Sequence, residues 1–564
     1  MSEVTGTRPG GYKTPAKDDA ERALFGELRD DPADGTVDVP LSERLRERRT
    51  QGRSRTHQAA PPPPPGDSAP PPPPPPPPHV TVSDEDIERS ESVIQKCAAG
   101  DYTPNDAGNS DILRDLWGKD YRWSVNAPGS GWMVWDGNRW KPDHALQIRK
   151  HARHVANIWK SAAPPPPTLD MEAEERKVIE AQRKRMLAMS LRCGEARSVR
   201  SMVEMMQPHL PVAMTDFDSA ATDWLFNVPG ATLNLAPNIW KSQRPERSDY
   251  ITKMGGAAPA DSGDCPVWKG FLNRIMGGDA EIIAFLQRAI GYCLVGDNQS
   301  AGMFVAYGSG ANGKSTFIQA LSHVFGDYVR PAAADTFLST KDKSAIPNDL
   351  AGLVGARVII CSETNDGDGL DEARVKQMTG GDKISVRFLG KEFFEFTSKA
   401  KIWLPTNHKP IIRGTDHGIW RRIFMIPFEV TIPDSEQDRQ LGNKLEAEVA
   451  EITRWAIDGL YEYHMLQASC GKGLAAPESV KAATDAYRQD MDVIGEFIAD
   501  ACLTGAGYRI SNTLMYRAYE TWASDNGLKA KSHKAFSRSM MERGYTQAAT
   551  RGADGRLWSG ITTR

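Results

Sequence analysis

The sequence predicts an α/β chain whose central part alternates buried strands with helices around a glycine-rich loop, and whose first 90 or so residues form no packed domain. Three observations predict it. A short apolar run, Met303 to Tyr307, leads through GSGANGKST into the helix-compatible FIQALSHVFG. Downstream, RVIICSE, KIWLPTN and IFMIPF read as strands, with the helical DEARVKQM after the first of them. Upstream, proline runs at 61–65 and 70–78 lie among charged residues and glycines.

The loop comes first because the rest depends on it. Gly308, Gly313, Lys314 and Ser315 stand at G-x-x-x-x-G-K-[ST] spacing, in the strand, loop, helix order that a P-loop requires. Glycines at 308, 310 and 313 let the backbone take positive φ and approach a phosphate closely, so that successive N–H groups and the following helix N-terminus face the anion. The candidate nucleotide-binding residues are therefore Gly308, Ser309, Gly310, Ala311, Asn312, Gly313, Lys314, Ser315 and Thr316. Lys314 would reach the β and γ phosphates of a nucleoside triphosphate, and the Ser315 hydroxyl would hold Mg²⁺. An ordinary glycine-rich turn is the weaker reading.

At 564 residues the chain has room for about three or four domains. A formal charge of -4 and a pI near 6.3 exclude a uniformly basic coat, so any nucleic-acid contact must be local. Seven scattered cysteines without a C-x-x-C pair fit a reducing compartment better than a disulfide framework. No signal peptide and no apolar run approaching about 18 residues is present, which leads us to expect a soluble, cytoplasmic protein without a membrane partner.

Taken in order, residues 1–90 read as a disordered spacer with polyproline II character. Tryptophans 117, 123, 132, 135, 140 and 159 then crowd together, and WMVWDGNRW alternates bulky residues around Asp136-Gly137 as a tight hairpin does. With Arg139, Lys141, Arg149, Lys150 and Arg153 nearby these rings could stack bases, but a core role is the better reading. A proline run at 164–167 precedes a charged helical stretch over 169–207, and 216–235 reads as short strands and turns. Asp216 and Asp218 form a D-x-D pair that could hold a metal; a turn or cap role is preferred. Residues 279–295 carry apolar groups at helical spacing. After the P-loop, RVIICSE ends in Glu363, where an acid would orient Mg²⁺ and the attacking water. ISVRF and FFEF flank Leu389 to Glu392, a β-hairpin with Lys391 at its tip and Arg387 on its first strand. KIWLPTN ends in Asn407, and Arg421 and Arg422 directly precede the last strand. From Ser479 on, helical signals, a hairpin at Ala553-Asp554-Gly555 and a surplus of six cations over 505–564 suggest a phosphate-facing surface.

The succession of P-loop, RVIICSE, KQMTGGDKISVRF, LPTNHKP and WRRIFMIPF resembles the superfamily-three helicase module of phage and plasmid primase-helicases, related to the poxvirus primase-helicase. The resemblance extends from WMVWDGNRW through FNVPGATLNL, CPVWKGFLNRI and FLQRAIGYCLVG, and forward through SVKAATDAYR, YETWASDNG and FSRSMMERG, roughly 110–564. It implies an AAA+-like ATPase core over 266–432, an N-terminal α+β domain, mainly helical, over 91–265, a helical extension over 433–478 and a winged-helix DNA-binding domain over 479–564. It also implies a homo-hexameric ring that hydrolyses ATP with Mg²⁺ between subunits and moves along single-stranded or forked DNA in phage, prophage or plasmid replication. In that reading Lys314 and Ser315 bind phosphate and Mg²⁺, Glu363 polarises the water and binds the metal, Asn407 is the sensor, Arg422 the finger reaching the neighbouring subunit with Arg421 in reserve, and Lys391 with Arg387 grips DNA. Two departures stand out: Ser362 occupies a place where many ring helicases carry a second acid, and Gly230-Ala231 stands where Asn-Gly is expected. No zinc-binding cysteines or carboxylate cluster of a primase domain occur, so a separate primase is the expected partner. The alternative is a DNA-bound initiator ATPase that does not unwind.

Overall fold

The computed structural model describes residues 84–564 apart from 238, 301, 340–347, 364–366, 413, 415–416, 529 and 553–554. The proline-rich stretch and its expected disorder thus lie outside the described residues up to 83. The expected tail boundary at 90 is too late, because helix α1, Asp84–Ala99, begins before it. Its acidic start hides the apolar spacing, yet Val93 and Cys97 sit in the N-terminal core at 2% and 0% exposure.

Helix α2 (Asp106–Trp117) leads into a three-stranded antiparallel sheet, β1 (Tyr121–Trp123), β2 (Trp132–Trp135) and β3 (Trp140–Pro142). The expected hairpin is there: Trp135 faces Trp140, Gly137 takes φ +101°, and the Asp136 carboxylate accepts the N–H groups of Asn138 and Arg139 at 3.0 Å each. The core reading of the tryptophans holds for Trp132, Trp140 and Trp159, all buried, and the Trp159 indole donates to Asn109 Oδ1 at 2.8 Å. Helix α3 (Gln147–Ala162) follows, and the charged stretch after it is two helices, α4 (Ala173–Cys193) and α5 (Ala196–Met206). The break falls at Gly194, a residue of low helix propensity. Short strands β4 (Leu225–Val228), β5 (Ala231–Asn234) and β6 (Lys241–Gln243) pair antiparallel, with Gly230 turning at φ +79°. Asp218 and Asp216 have the turn and cap roles preferred for them: Asp218 accepts from Thr252 N at 2.8 Å, and Asp216 from Ala213 N at 3.0 Å.

The central part opens with α6 (Pro266–Ile275) and α7 (Ala280–Tyr292). The carboxylate of Glu448, far along the chain, accepts the first-turn N–H groups of Val267 and Trp268 at 3.0 and 2.9 Å, satisfying donors that a helix start leaves without partners. Then come β7 (Met303–Tyr307), α8 (Lys314–Phe325), β8 (Val329–Ala332), β9 (Val358–Cys361), α9 (Glu372–Thr379), β10 (Lys383–Val386), β11 (Phe394–Thr397), β12 (Lys401–Thr406) and β13 (Ile423–Pro427). Five of these strands form one parallel sheet in the order β13-β7-β12-β9-β8. Its strands are nearly continuous apolar runs because both faces are covered, with Phe304, Ile402, Trp403 and Ile426 fully buried. Among the described residues β10 and β11 pair only with each other.

Helices α10 (Leu441–Ala447), α11 (Val449–Cys470) and α12 (Glu478–Asp490) pack against this core, as the apolar pattern of the region requires. The chain ends as α13 (Val493–Ala501), β14 (Cys502–Ser511), α14 (Asn512–Asp525), α15 (His533–Glu542), β15 (Thr546–Gly552) and β16 (Gly555–Thr563). The three strands form an antiparallel sheet in the order β14-β16-β15 around a small core of Phe497, Tyr519, Phe536 and Trp558. The turn expected at Ala553-Asp554 lies outside the described residues, though β15 and β16 flank it as a hairpin.

Candidate nucleotide-binding and catalytic site

In strand order along the chain, the parallel sheet reads 5-1-4-3-2, so its first strand, β7, lies between the fourth and fifth. Connections leaving neighbouring strands there run in opposite directions, which opens a crevice beyond their C-terminal ends. Residues 308–313 occupy that crevice between β7 and α8.

The loop is pinned from three sides. Gly308 N donates to Thr406 O at 3.3 Å, the Asn312 amide to Phe428 O at 3.1 Å, and Ile432 N to Ala311 O at 2.8 Å. Glycine is required at both ends. A Cβ on Gly308 would meet Phe428 O at 2.2 Å; on Gly313, at φ +82°, it would meet Ile275 Cγ2 at 2.6 Å.

Lys314 begins α8 and is 6% exposed. Its ammonium donates to Gly308 O at 2.7 Å, Asn407 Oδ1 at 2.9 Å and Asn312 Oδ1 at 3.0 Å. Burial pushes its pKa below the usual lysine value, and the Glu363 carboxylate pulls it back up. An anion entering the cleft would do what Glu363 does more strongly, favouring the charged form.

The cleft around these groups holds about 610 Å³ and is lined by Gly310 to Thr316, Glu363 and Asn407. Val267, Phe271, Ile432 and Leu441 supply an apolar wall, and Arg274, paired with Glu436 at 2.6 Å, stands at its edge. The sequence reading missed that wall. The apolar spacing of VWKGF reveals a helix, but only the fold brings α6 over the loop. The residues fit a hydrated Mg²⁺, which takes one or two carboxylates plus phosphate oxygens: Ser315 and Glu363 both line the cleft with exposed side chains. Ser362 turns away instead, its hydroxyl donating to Ala332 O at 3.2 Å. Among the described residues there is no cluster of three or more His, Cys, Asp or Glu residues that could hold a metal ion by themselves.

The expected Lys314, Ser315, Glu363 and Asn407 thus meet in one cleft with the loop residues from Gly310 to Thr316. Arg422 does not line it. Its guanidinium donates to Thr379 Oγ1 at 3.1 Å and to Gly418 O at 2.5 Å in its own chain, while Arg421 is exposed. Lys391 sits in the β10–β11 turn, next to Gly390 at φ +73° and the 82%-exposed Leu389. Arg387 lies 4.7 Å from the Phe393 ring centroid, and Ile384, Val386 and Phe394 root the hairpin in the core.

Three segments match known families: residues 110–277 "D5 N terminal like", 306–422 "Family of unknown function (DUF5906)", and 489–552 "Poxvirus D5 protein-like". A protein of Acanthamoeba polyphaga mimivirus provisionally named a helicase is 29% identical over 280 residues, 46% of this chain and 28% of its own length. A provisionally named helicase of Frog virus 3 is 24% identical, over 43% of this chain and 26% of its own. A provisionally named primase of African swine fever virus is 25% identical, over 42% and 26%. The chain therefore spans little more than a quarter of the length of these relatives. Among solved structures, the apo A form of the NrS-1 C-terminal region matches with a TM-score of 0.35 and 12% identity, over 54% of this chain and 77% of that one.

Proposed function

We propose that the chain is an ATP-driven DNA helicase of replication, a reading supported by its matches to D5-type segments at both ends and by its resemblance to viral proteins provisionally named helicases and primases. The observation that carries this is the meeting of Lys314, Asn407, Ser315 and Glu363 in one cleft at the switch point of a 5-1-4-3-2 parallel sheet. In this reading the loop is a P-loop on an AAA+-like core. Lys314 would neutralise the β and γ phosphates, and Ser315 and Glu363 would hold Mg²⁺, which would supply positive charge against that developing on the phosphates. Glu363 and Asn407 orient the attacking water. Asn407 already touches Lys314, so a γ-phosphate drawing Lys314 forward would free the Asn407 amide to sense it. The α-β-α-α-β-β segment over 493–563 is read as a winged helix on DNA.

Neighbouring protomers in a hexameric ring would complete one another's sites, with Arg422, or Arg421 in its place, reaching across. The tip of the β10–β11 hairpin would project into the ring channel, where Lys391, with Arg387, grips a phosphate of the threaded strand.

A strand-displacement assay on a forked duplex tests this, with ATP and with a non-hydrolysable analogue. Displacement with ATP alone is expected; turnover without displacement would favour the initiator ATPase. Lys391→Ala should keep basal hydrolysis within about twofold while displacement falls at least about tenfold, since only the grip on the strand is removed. If displacement survives intact, the hairpin is not the motor element. In subunit mixing, Arg422→Ala protomers combined with Lys314→Ala protomers should recover part of the turnover that each lacks alone. No recovery would remove Arg422 from the interface.

A further inference from the structure

Helix α3 stands apart in a chain of net charge -4. Its sixteen residues, QIRKHARHVANIWKSA, contain Arg149, Lys150, Arg153 and Lys160 and not one carboxylate. One face is core: Ile148, Ala152, Val155, Ile158, Trp159 and Ala162 are all buried. The other is a polar stripe, with Arg149, Lys150, Arg153, His154, Asn157 and Lys160 all exposed. Helical spacing of four and seven aligns Arg149, Arg153 and Lys160 along one line, about 16 Å from end to end at ~1.5 Å per residue.

Hairpin cations nearby are engaged by carboxylates, Arg139 by Asp136 and Asp327 and Lys141 by Asp136. Among the described residues no ion pair engages the four cations of α3. Four uncompensated charges on one rigid helix face repel one another, and a polyanion laid along the helix relieves that repulsion.

The geometry points to double-stranded DNA as the occupant of this face, held through its phosphates without reading sequence. Single strands are bound through base stacking on exposed aromatic rings as well as charge. Here the neighbouring rings are taken: Trp159 is in the core, and Trp117 stacks on His151 with centroids 4.7 Å apart while the Tyr121 hydroxyl bonds His151 Nδ1 at 3.0 Å. What remains exposed is charge, and duplex DNA offers one phosphate per ~1.7 Å of its axis. The N-terminal domain thereby holds parental duplex while the ring works on a separated strand.

The inference deepens the DNA-acting reading, but binding to a blunt duplex requires no ATP turnover, so the two can fail separately. The test compares the full chain with its R149A/K150A/R153A/K160A variant, without nucleotide, on a blunt 30-base-pair duplex and on a 30-nucleotide single strand. The variant should keep the parent's unfolding midpoint, since all four side chains are exposed. Its duplex affinity should fall at least about tenfold, and the slope of log K against log salt should shrink by about 3 to 4, the release from four phosphates at ~0.9 each. Single-strand affinity should change far less. An unchanged duplex slope overturns the proposal, and so does a loss on the single strand as large as that on the duplex.

Discussion

Lys314→Ala is expected to abolish ATP turnover, with a loss of at least about a hundredfold, the scale set by removing one pre-aimed donor from a charged transition state. Its Nζ lies within hydrogen-bond reach of both the loop backbone and Asn407. Its removal also leaves Gly308 O and the Asn312 and Asn407 amide oxygens without their shared donor, which loosens the loop against β12. Folding should survive, since Asn312 remains pinned to Phe428 and Ala311 to Ile432. A phosphate-release assay with and without single-stranded DNA checks the result. DNA-stimulated turnover retained by the variant would remove the cleft from the chemistry.

Much of this site could be read from the chain because local chemistry dictates it. Gly310 and Gly313 turn the loop at positive φ, as Ala311 also does at +48°, and Gly308 runs too close to Phe428 O for a Cβ, so the three glycines mark the loop without any knowledge of the fold. Asn407 and Glu363 were legible as polar ends of apolar strands, which is where a parallel sheet presents residues to a crevice. Other features are not local. Nothing in VWKGF says that Val267 and Phe271 wall the cleft, because that follows from how α6 crosses α8. The position of Arg422 is likewise a tertiary outcome: packing turns the preferred finger toward Thr379 and leaves Arg421, the reserve, in solvent. At the N-terminus, acids and serines outweigh the two apolar residues that anchor α1, so composition concealed a helix that tertiary burial stabilises.

Arg357→Ala should cost about 3 to 5 kcal/mol of stability, although Arg357 lies at the opposite end of β9 from the cleft. Its sequence context, RVIICSE, suggests only a strand entry. The guanidinium is 2% exposed and donates to Asp223 O at 2.9 Å, Thr222 O at 2.7 Å and Leu225 O at 3.3 Å, while standing 5.7 Å from the Tyr328 ring centroid. One side chain thus ties the backbone of residues 222–225 to the floor of the parallel sheet. Lys399 reinforces the tie from β12's edge through Ser219 O and the Asp223 carboxylate. Alanine takes the guanidinium donors from Thr222 O and Leu225 O and leaves Asp223 O with Gly296 N alone, in addition to a cavity, and unmade bonds of this kind cost more than made ones contribute. Arg357→Lys should recover only part of the loss, because an ammonium lacks the planar fork that reaches three acceptors at once. Denaturant midpoints of the three proteins check the order wild type, lysine, alanine. A loss under about 1 kcal/mol for alanine would mean that water reaches the carbonyls and that the tie contributes little.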